Sequence, residues 1–139
     1  MSAKITVTTT VAAPLERVWA CWTEPRHIIH WNAASDDWGC PEAHNDLRVG
    51  GRFRYVMAAR DGSVRFDFEG TYTQVLPHQA IAYAMDDGRA VEVRFERTSG
   101  GVSVTETFDP ENTHPREMQA AGWQAILDRF AAWASAQGA

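Results

Sequence analysis

A chain of 139 residues, 45% hydrophobic and 22% charged, has the size and composition of one globular domain, read as residues 1–139. Its formal charge of −5, from 13 basic and 18 acidic side chains, comes without a basic stripe and argues against nucleic acid as a partner. No apolar run approaches the ~20 residues of a membrane helix, MSAKITVTTTV lacks a signal-peptide core, and the two cysteines read as reduced thiols, so the expected location is cytoplasmic with no membrane span.

The first element is a strand over 4–12, where Ile5, Val7, Thr9 and Val11 share one face. Pro14 suits a helix start, because its missing N–H would be unpaired there, and Leu15, Val18, Trp19 and Trp22 follow helical spacing. Pro25 ends this helix and opens a second, short one through Trp31, with Ile28 and Ile29 inward. Residues 32–45, NAASDDWGCPEAHN, carry turn formers throughout and predict a long loop with a short strand at its end. Long loops in compact domains are often functional.

In the stretch NDLRVGGRFRYVM, Phe53, Tyr55 and Met57 alternate with Arg52, Arg54 and Val56, behind the pair Gly50-Gly51. The glycines predict a bend where the chain enters the sheet. Strands follow over 52–60, 63–75, 80–85, 90–98 and 102–109, joined by turns rich in Gly, Pro and Asp, which makes an antiparallel meander. The last element is a helix, with Thr113 or His114 as cap and Pro115 in its first turn. Met118, Gly122, Ile126 and Phe130 form one row on it, widened by Trp123, Leu127 and Trp133.

This order makes an α+β protein: a curled antiparallel sheet of about six to seven strands, two short helices after the first strand, and a long C-terminal helix that the sheet grips. Four segments, VAAPLERVWACWTEP, DLRVGGRF, FEGTYTQVLP and GWQAILDRF, together resemble the START-like, birch-pollen-allergen-like (SRPBCC) superfamily. More closely, they resemble its bacterial branch related to the C-terminal domain of the activator of the heat-shock-protein-ninety ATPase. The resemblance runs from Lys4 to Trp133. It implies the helix-grip fold and a hydrophobic cavity between sheet and C-terminal helix. Relatives bind lipids, sterols, polyketides and other apolar molecules, and some are cyclases or hydrolases. It implies no cofactor, no metal and no uniform catalytic motif. The eukaryotic co-chaperone carries an additional N-terminal domain without counterpart in this sequence, which argues against an Hsp-ninety partnership.

Within that frame the expected ligand site has three walls. Trp31 and Trp38 flank the loop at the cavity mouth, with Asp36 and Asp37 as polar anchors. Phe53, Tyr55, Phe66, Phe68 and Tyr83 line the sheet side, and Met118, Gly122 and Trp123 the helix side. Gly122 removes a side chain where the helix approaches either the sheet or a ligand. Glu106 shares parity with Val102, Val104 and Phe108, so alternation turns it inward. A buried carboxyl has a raised pKa and marks either a ligand anchor or an acid/base.

Residues 27–44 also contain His27, His30, Asp36, Asp37, Cys40 and His44, all of metal-ligand type but at no recognised metal spacing, and no metal is expected. Cys40 has no histidine at a spacing that would activate it. The leading reading is binding of a small hydrophobic or aromatic molecule. The alternatives are an enzyme of cyclase or hydrolase type with Glu106 as acid/base, helped by Asp36, Asp37 or His30, and a co-chaperone-like interaction module. The partner is then a small apolar molecule, and the sequence leaves a homodimer open.

Overall fold

Alternation of Ile5, Val7 and Val11 with threonines makes β1 (Ile5–Val11) a strand with one buried face. Its partner is the last strand, not the next. The structure is a computed structural model that describes residues 3–137. After β1 come two short helices, α1 (Leu15–Thr23) and α2 (Pro25–Trp31). Then follow β2 (Trp38–Asn45), β3 (Arg52–Ala59), β4 (Arg65–Leu76), β5 (Ala80–Met85), β6 (Ala90–Thr98) and β7 (Gly101–Phe108). The long helix α3 (Arg116–Ala136) closes the chain. The seven strands form one antiparallel sheet in the order β1-β7-β6-β5-β4-β3-β2, curled around α3. This is the α+β helix-grip arrangement. Among the described residues no helix is long and apolar enough to cross a membrane.

Two local expectations are corrected. The segment read as loop is largely strand: β2 occupies eight residues. β2 lies at the sheet edge and pairs only with β3, so Pro41 removes no ladder hydrogen bond on the free side. A register shift between Gly39 and Glu42 absorbs the irregularity. At the start of α3, neither Thr113 nor His114 caps the helix with a side chain; Pro115 stands at that position. The Glu111 carboxylate instead accepts from the N–H groups of Thr113 and His114, and the buried Gln119 amide bonds the backbone of Glu111 and His114.

The bend at Gly50-Gly51 is real. Gly50 has φ of 83°, a left-handed conformation that favours glycine. A Cβ at Gly51 would collide with the Asp46 carbonyl oxygen. The turn carries the β3–β4 pairing past its last strand residue: Gly50 N–H donates to Tyr72 O at 2.8 Å, and Tyr72 N–H donates to Gly51 O at 2.9 Å.

The core is uneven. α3 lies against β1, α1 and α2, where Leu127, Phe130 and Ala134 are fully buried. Phe130 packs edge-on against both Trp22 and Trp31, with ring centroids at 4.8 and 4.9 Å. Truncating such a ring to Ala costs ~3–5 kcal/mol. Away from this side the sheet curls off the helix, and large aromatic rings from β3, β4 and β5 span the gap.

Candidate ligand site at the sheet–helix seam

Where the sheet leaves the helix, an apolar pocket of about 220 Å³ opens between Ala34, Trp38, Met57, Phe66 and Ile126. Met57 and Phe66 face each other across β3 and β4, and Trp38 packs edge-on against Phe66 at 5.8 Å. Phe66 is still 49% exposed, so the pocket is open to solvent. Gly122 lies one helical turn before Ile126. A Cβ built there meets nothing within 4 Å, so close packing does not explain a glycine in the middle of a helix. A polar hollow of about 650 Å³ lies on another side of Trp38, lined by Asp36, Asp37, Arg60, Asp61 and Ser63. It is larger, but it faces charged surface rather than the seam.

Deeper in, the rings form a continuous lattice. Phe53 touches Tyr55 and Tyr83 at 4.9 and 4.8 Å, and Phe68 meets Trp123 of α3 at 6.4 Å. Trp123 in turn stacks on Phe108 at 3.8 Å. Two polar features interrupt these rings. Tyr72 O–H donates to Asn45 Oδ1, and the Asn45 amide donates to Thr23 O at 2.6 Å. Glu106 is the second: it is 6% exposed and sits in the sheet between Val7 of β1 and Val93 of β6. Burial alone pushes its carboxyl up to about 8. Burial also raises the Tyr55 and Tyr83 phenols well above their ordinary value, and the Glu106 carboxyl adds to the rise at Tyr83.

The structure therefore brings Phe53, Tyr55, Phe68, Tyr83, Glu106 and Trp123 to one side of the sheet, with Trp38 and Phe66 at the pocket beyond them, while Gly122 lines no pocket among the described residues. Two expected lining residues stand elsewhere. Trp31 is a core residue at 5% exposure, its indole N–H donating to Cys21 O. Met118 is 58% exposed near the start of α3. Asp36 turns outward and pairs with Arg129 of α3 at 2.8 Å, while Arg60 Nε donates to its carbonyl, so this loop is clasped to the helix and to the turn after β3. Asp37 is exposed. His27 is buried and accepts from Trp133, and Cys40 is buried, its thiol facing Glu42 O. Among the described residues, no three His, Cys, Asp or Glu side chains gather as a metal site would need.

The sequence pattern placed Tyr72 on the aromatic face but left Ala34, Ile126, Met57 and Asn45 out of the site. Met57 shares strand parity with Phe53 and Tyr55, and Ile126 shares a helix row with Gly122, so both carried a usable signal. Ala34 and Asn45 carried none, because their placement depends on the loop and turn around β2.

The family model of the activator of Hsp90 ATPase homolog 1-like protein matches residues 12–135. The chain belongs to this family. The activator of Hsp90 ATPase homolog 1-like proteins of known structure include the AHSA1-like protein from Aeromonas hydrophila, solved in solution. It is 46% identical, with a TM-score of 0.91 over 96% of this chain and 93% of that one. A solution structure from Cytophaga hutchinsonii is 48% identical, with a TM-score of 0.83 over 96% and 93% of the two chains. Protein CV1439 from Chromobacterium violaceum, at 24% identity and a TM-score of 0.85 over 97% and 99%, shares the fold. No curated protein matches the chain.

Proposed function

We propose that this activator of Hsp90 ATPase homolog 1-like protein binds a small hydrophobic or aromatic molecule in the seam between sheet and C-terminal helix. The observation that carries the reading is the open apolar pocket of about 220 Å³ between Trp38, Met57, Phe66 and Ile126. Its apolar lining, with few polar groups deeper in, is the usual make-up of a small-molecule site. Gly122 shares a helix row with the pocket residue Ile126 and has open space where a side chain would stand. Phe53, Tyr55, Phe68, Tyr83, Trp123 and Glu106 form the inner part of this site, and Trp38, Phe66 and Gly122 its mouth.

Native mass spectrometry of freshly purified protein tests this directly. A reproducible excess of a few hundred daltons that leaves on denaturation, and is lost in Gly122→Leu, is the expected result. Normal binding by a folded Gly122→Leu variant rules the pocket out. A second reading, acid–base catalysis in the same cavity, draws on the raised Glu106 carboxyl. It predicts that Glu106→Gln stops turnover while leaving binding nearly intact.

A further inference from the structure

Glu106 and Tyr83 turn toward the interior without a hydrogen-bond partner on the protein. Among the described residues, no hydrogen bond reaches the Glu106 carboxyl, and none leaves the Tyr83 hydroxyl. Tyr72, by contrast, is satisfied by Asn45. Among the described residues the one fully enclosed side-chain nitrogen or oxygen without a partner is Arg129 Nε, so the unpaired Glu106 and Tyr83 oxygens keep access to open space, where a polar group of a bound molecule can pair with them. Glu106 is 6% exposed. Tyr83 stands across β6 from β7, its ring held among Phe53, Phe68 and Tyr72.

The groups around Glu106 leave it uncharged. β1 and β6 present Val7 and Val93 beside it. β5, β4 and β3 bring only the phenols of Tyr83, Tyr72 and Tyr55 toward the interior. On α3, Trp123 covers the neighbouring Phe108, Glu117 and Asp128 are exposed, and Arg129 turns to Asp36. Arg89 acts on Tyr83, but among the described residues no cation reaches Glu106, and a carboxyl without one in apolar surroundings stays protonated at neutral pH. It is then an O–H donor, as Tyr83 is.

We propose that Glu106 and Tyr83 form the polar end of the ligand site and donate hydrogen bonds to an acceptor on an otherwise apolar ligand, a ketone, quinone or ester carbonyl oxygen. This rests on the binding reading above and names the chemical class that the site selects. An aliphatic or aromatic hydrocarbon would leave both donors unpaired. An ammonium group would require Glu106 to ionise first.

Three naphthalene probes of similar size separate these cases on the intact chain by calorimetry: 2-acetylnaphthalene, its alkene isostere 2-isopropenylnaphthalene, and 2-naphthylmethylamine. At pH 6.5 the ketone binds about tenfold tighter than the alkene, the margin of one well-made buried hydrogen bond. At pH 9, with Glu106 ionised, that preference shrinks. Glu106→Gln keeps an N–H donor, so it keeps the preference and loses its pH dependence. Glu106→Leu, an apolar replacement the interior accommodates, still binds the alkene but loses most of the preference. Equal binding of ketone and alkene overturns the proposal while leaving the seam a binding site. Tightest binding of the amine, strengthening as pH rises, overturns it in favour of a carboxylate that holds a cation. Failure of all three probes, with no adduct in the native mass spectrum, removes the binding reading itself.

Discussion

The indole N–H of Trp133 donates to Nδ1 of His27 across 3.1 Å, while the same indole lies flat on the His30 ring at 4.3 Å. This contact ties the last turns of α3 to α2. It requires an unprotonated Nδ1, so the His27 proton sits on Nε2. Burial pushes His27 below its ordinary pKa, and Arg26 adds to the effect. The stabilisation is thus fully present above the unfolded value of about 6.5 and is lost as pH falls through the lower folded value. Trp133→Phe keeps a ring for His30 and deletes the donor. It should cost ~1 kcal/mol at pH 7.5 and lessen the loss of stability toward acid. Urea midpoints between pH 7.5 and 5 check this, and an acid limb parallel to that of the wild type contradicts it.

Glu106 titrates with the opposite sign. Its carboxyl, pushed up to about 8, keeps its proton in the folded chain where the unfolded chain releases it from about 4.5 upward. The stability tied to that proton is whole below about pH 4.5, declines as pH rises, and is fully lost above about 8. Glu106→Gln removes the titration. Relative to wild type, the variant should gain roughly 3 kcal/mol between pH 4.5 and 7, at 1.4 kcal/mol per pH unit. Because the His27 and Glu106 windows overlap, the comparison is best made in the Trp133→Phe background as well. A constant gap between Glu106→Gln and its parent across this range would mean the carboxyl is solvated or paired.

Gly122 separates space from stability. A methyl group there meets no neighbour, so Gly122→Ala should raise stability by up to ~1 kcal/mol through helix propensity and leave ligand binding intact. Gly122→Leu should be at least as stable as wild type, yet fill the open space and block binding. Thermal midpoints and the native mass spectrum, read on both variants, give the answer. A destabilised Gly122→Ala would show that the helix is in fact packed at this point.

The turn before β3 offers a test of backbone geometry. Gly51→Ala drives a methyl against the Asp46 carbonyl and the Arg48 chain, and should cost ~1–3 kcal/mol as an overpacked contact. Gly50→Ala meets no atom but must hold φ near 83°, at roughly 1–2 kcal/mol for a residue with a Cβ. Chemical denaturation resolves both. A Gly51→Ala midpoint equal to that of the wild type would refute the tight turn.

Much of the architecture could be read directly from the residues. Strict alternation in β1, β6 and β7 fixes which side chains turn inward, and it correctly buries Glu106 among valines. Period and turn chemistry fail around β2, where Gly39 and Pro41 mimic loop signals that an edge strand tolerates. They fail again at α3, where Gln119, a residue usually found on surfaces, is buried to organise the turn before the helix. Their positions on either side of the acidic loop gave Trp31 and Trp38 equal standing as mouth residues. Only the three-dimensional path of α2 reveals that Trp31 packs beneath Phe130 while Trp38 faces Phe66.

The pairing of β1 with β7 has a temporal consequence. Thr6 and Thr107 are 101 positions apart, yet they are neighbours across the ladder. At synthesis rates of ~5–20 residues per second, the first strand leaves the ribosome on the order of 5–20 s before its partner exists. Throughout that interval Ile5, Val7 and Val11 have no sheet to join. The meander from β3 to β7 needs only adjacent hairpins and can assemble as it emerges. The amino-terminal strand can therefore take its place only after β7 has emerged, when every other strand of the sheet is already available.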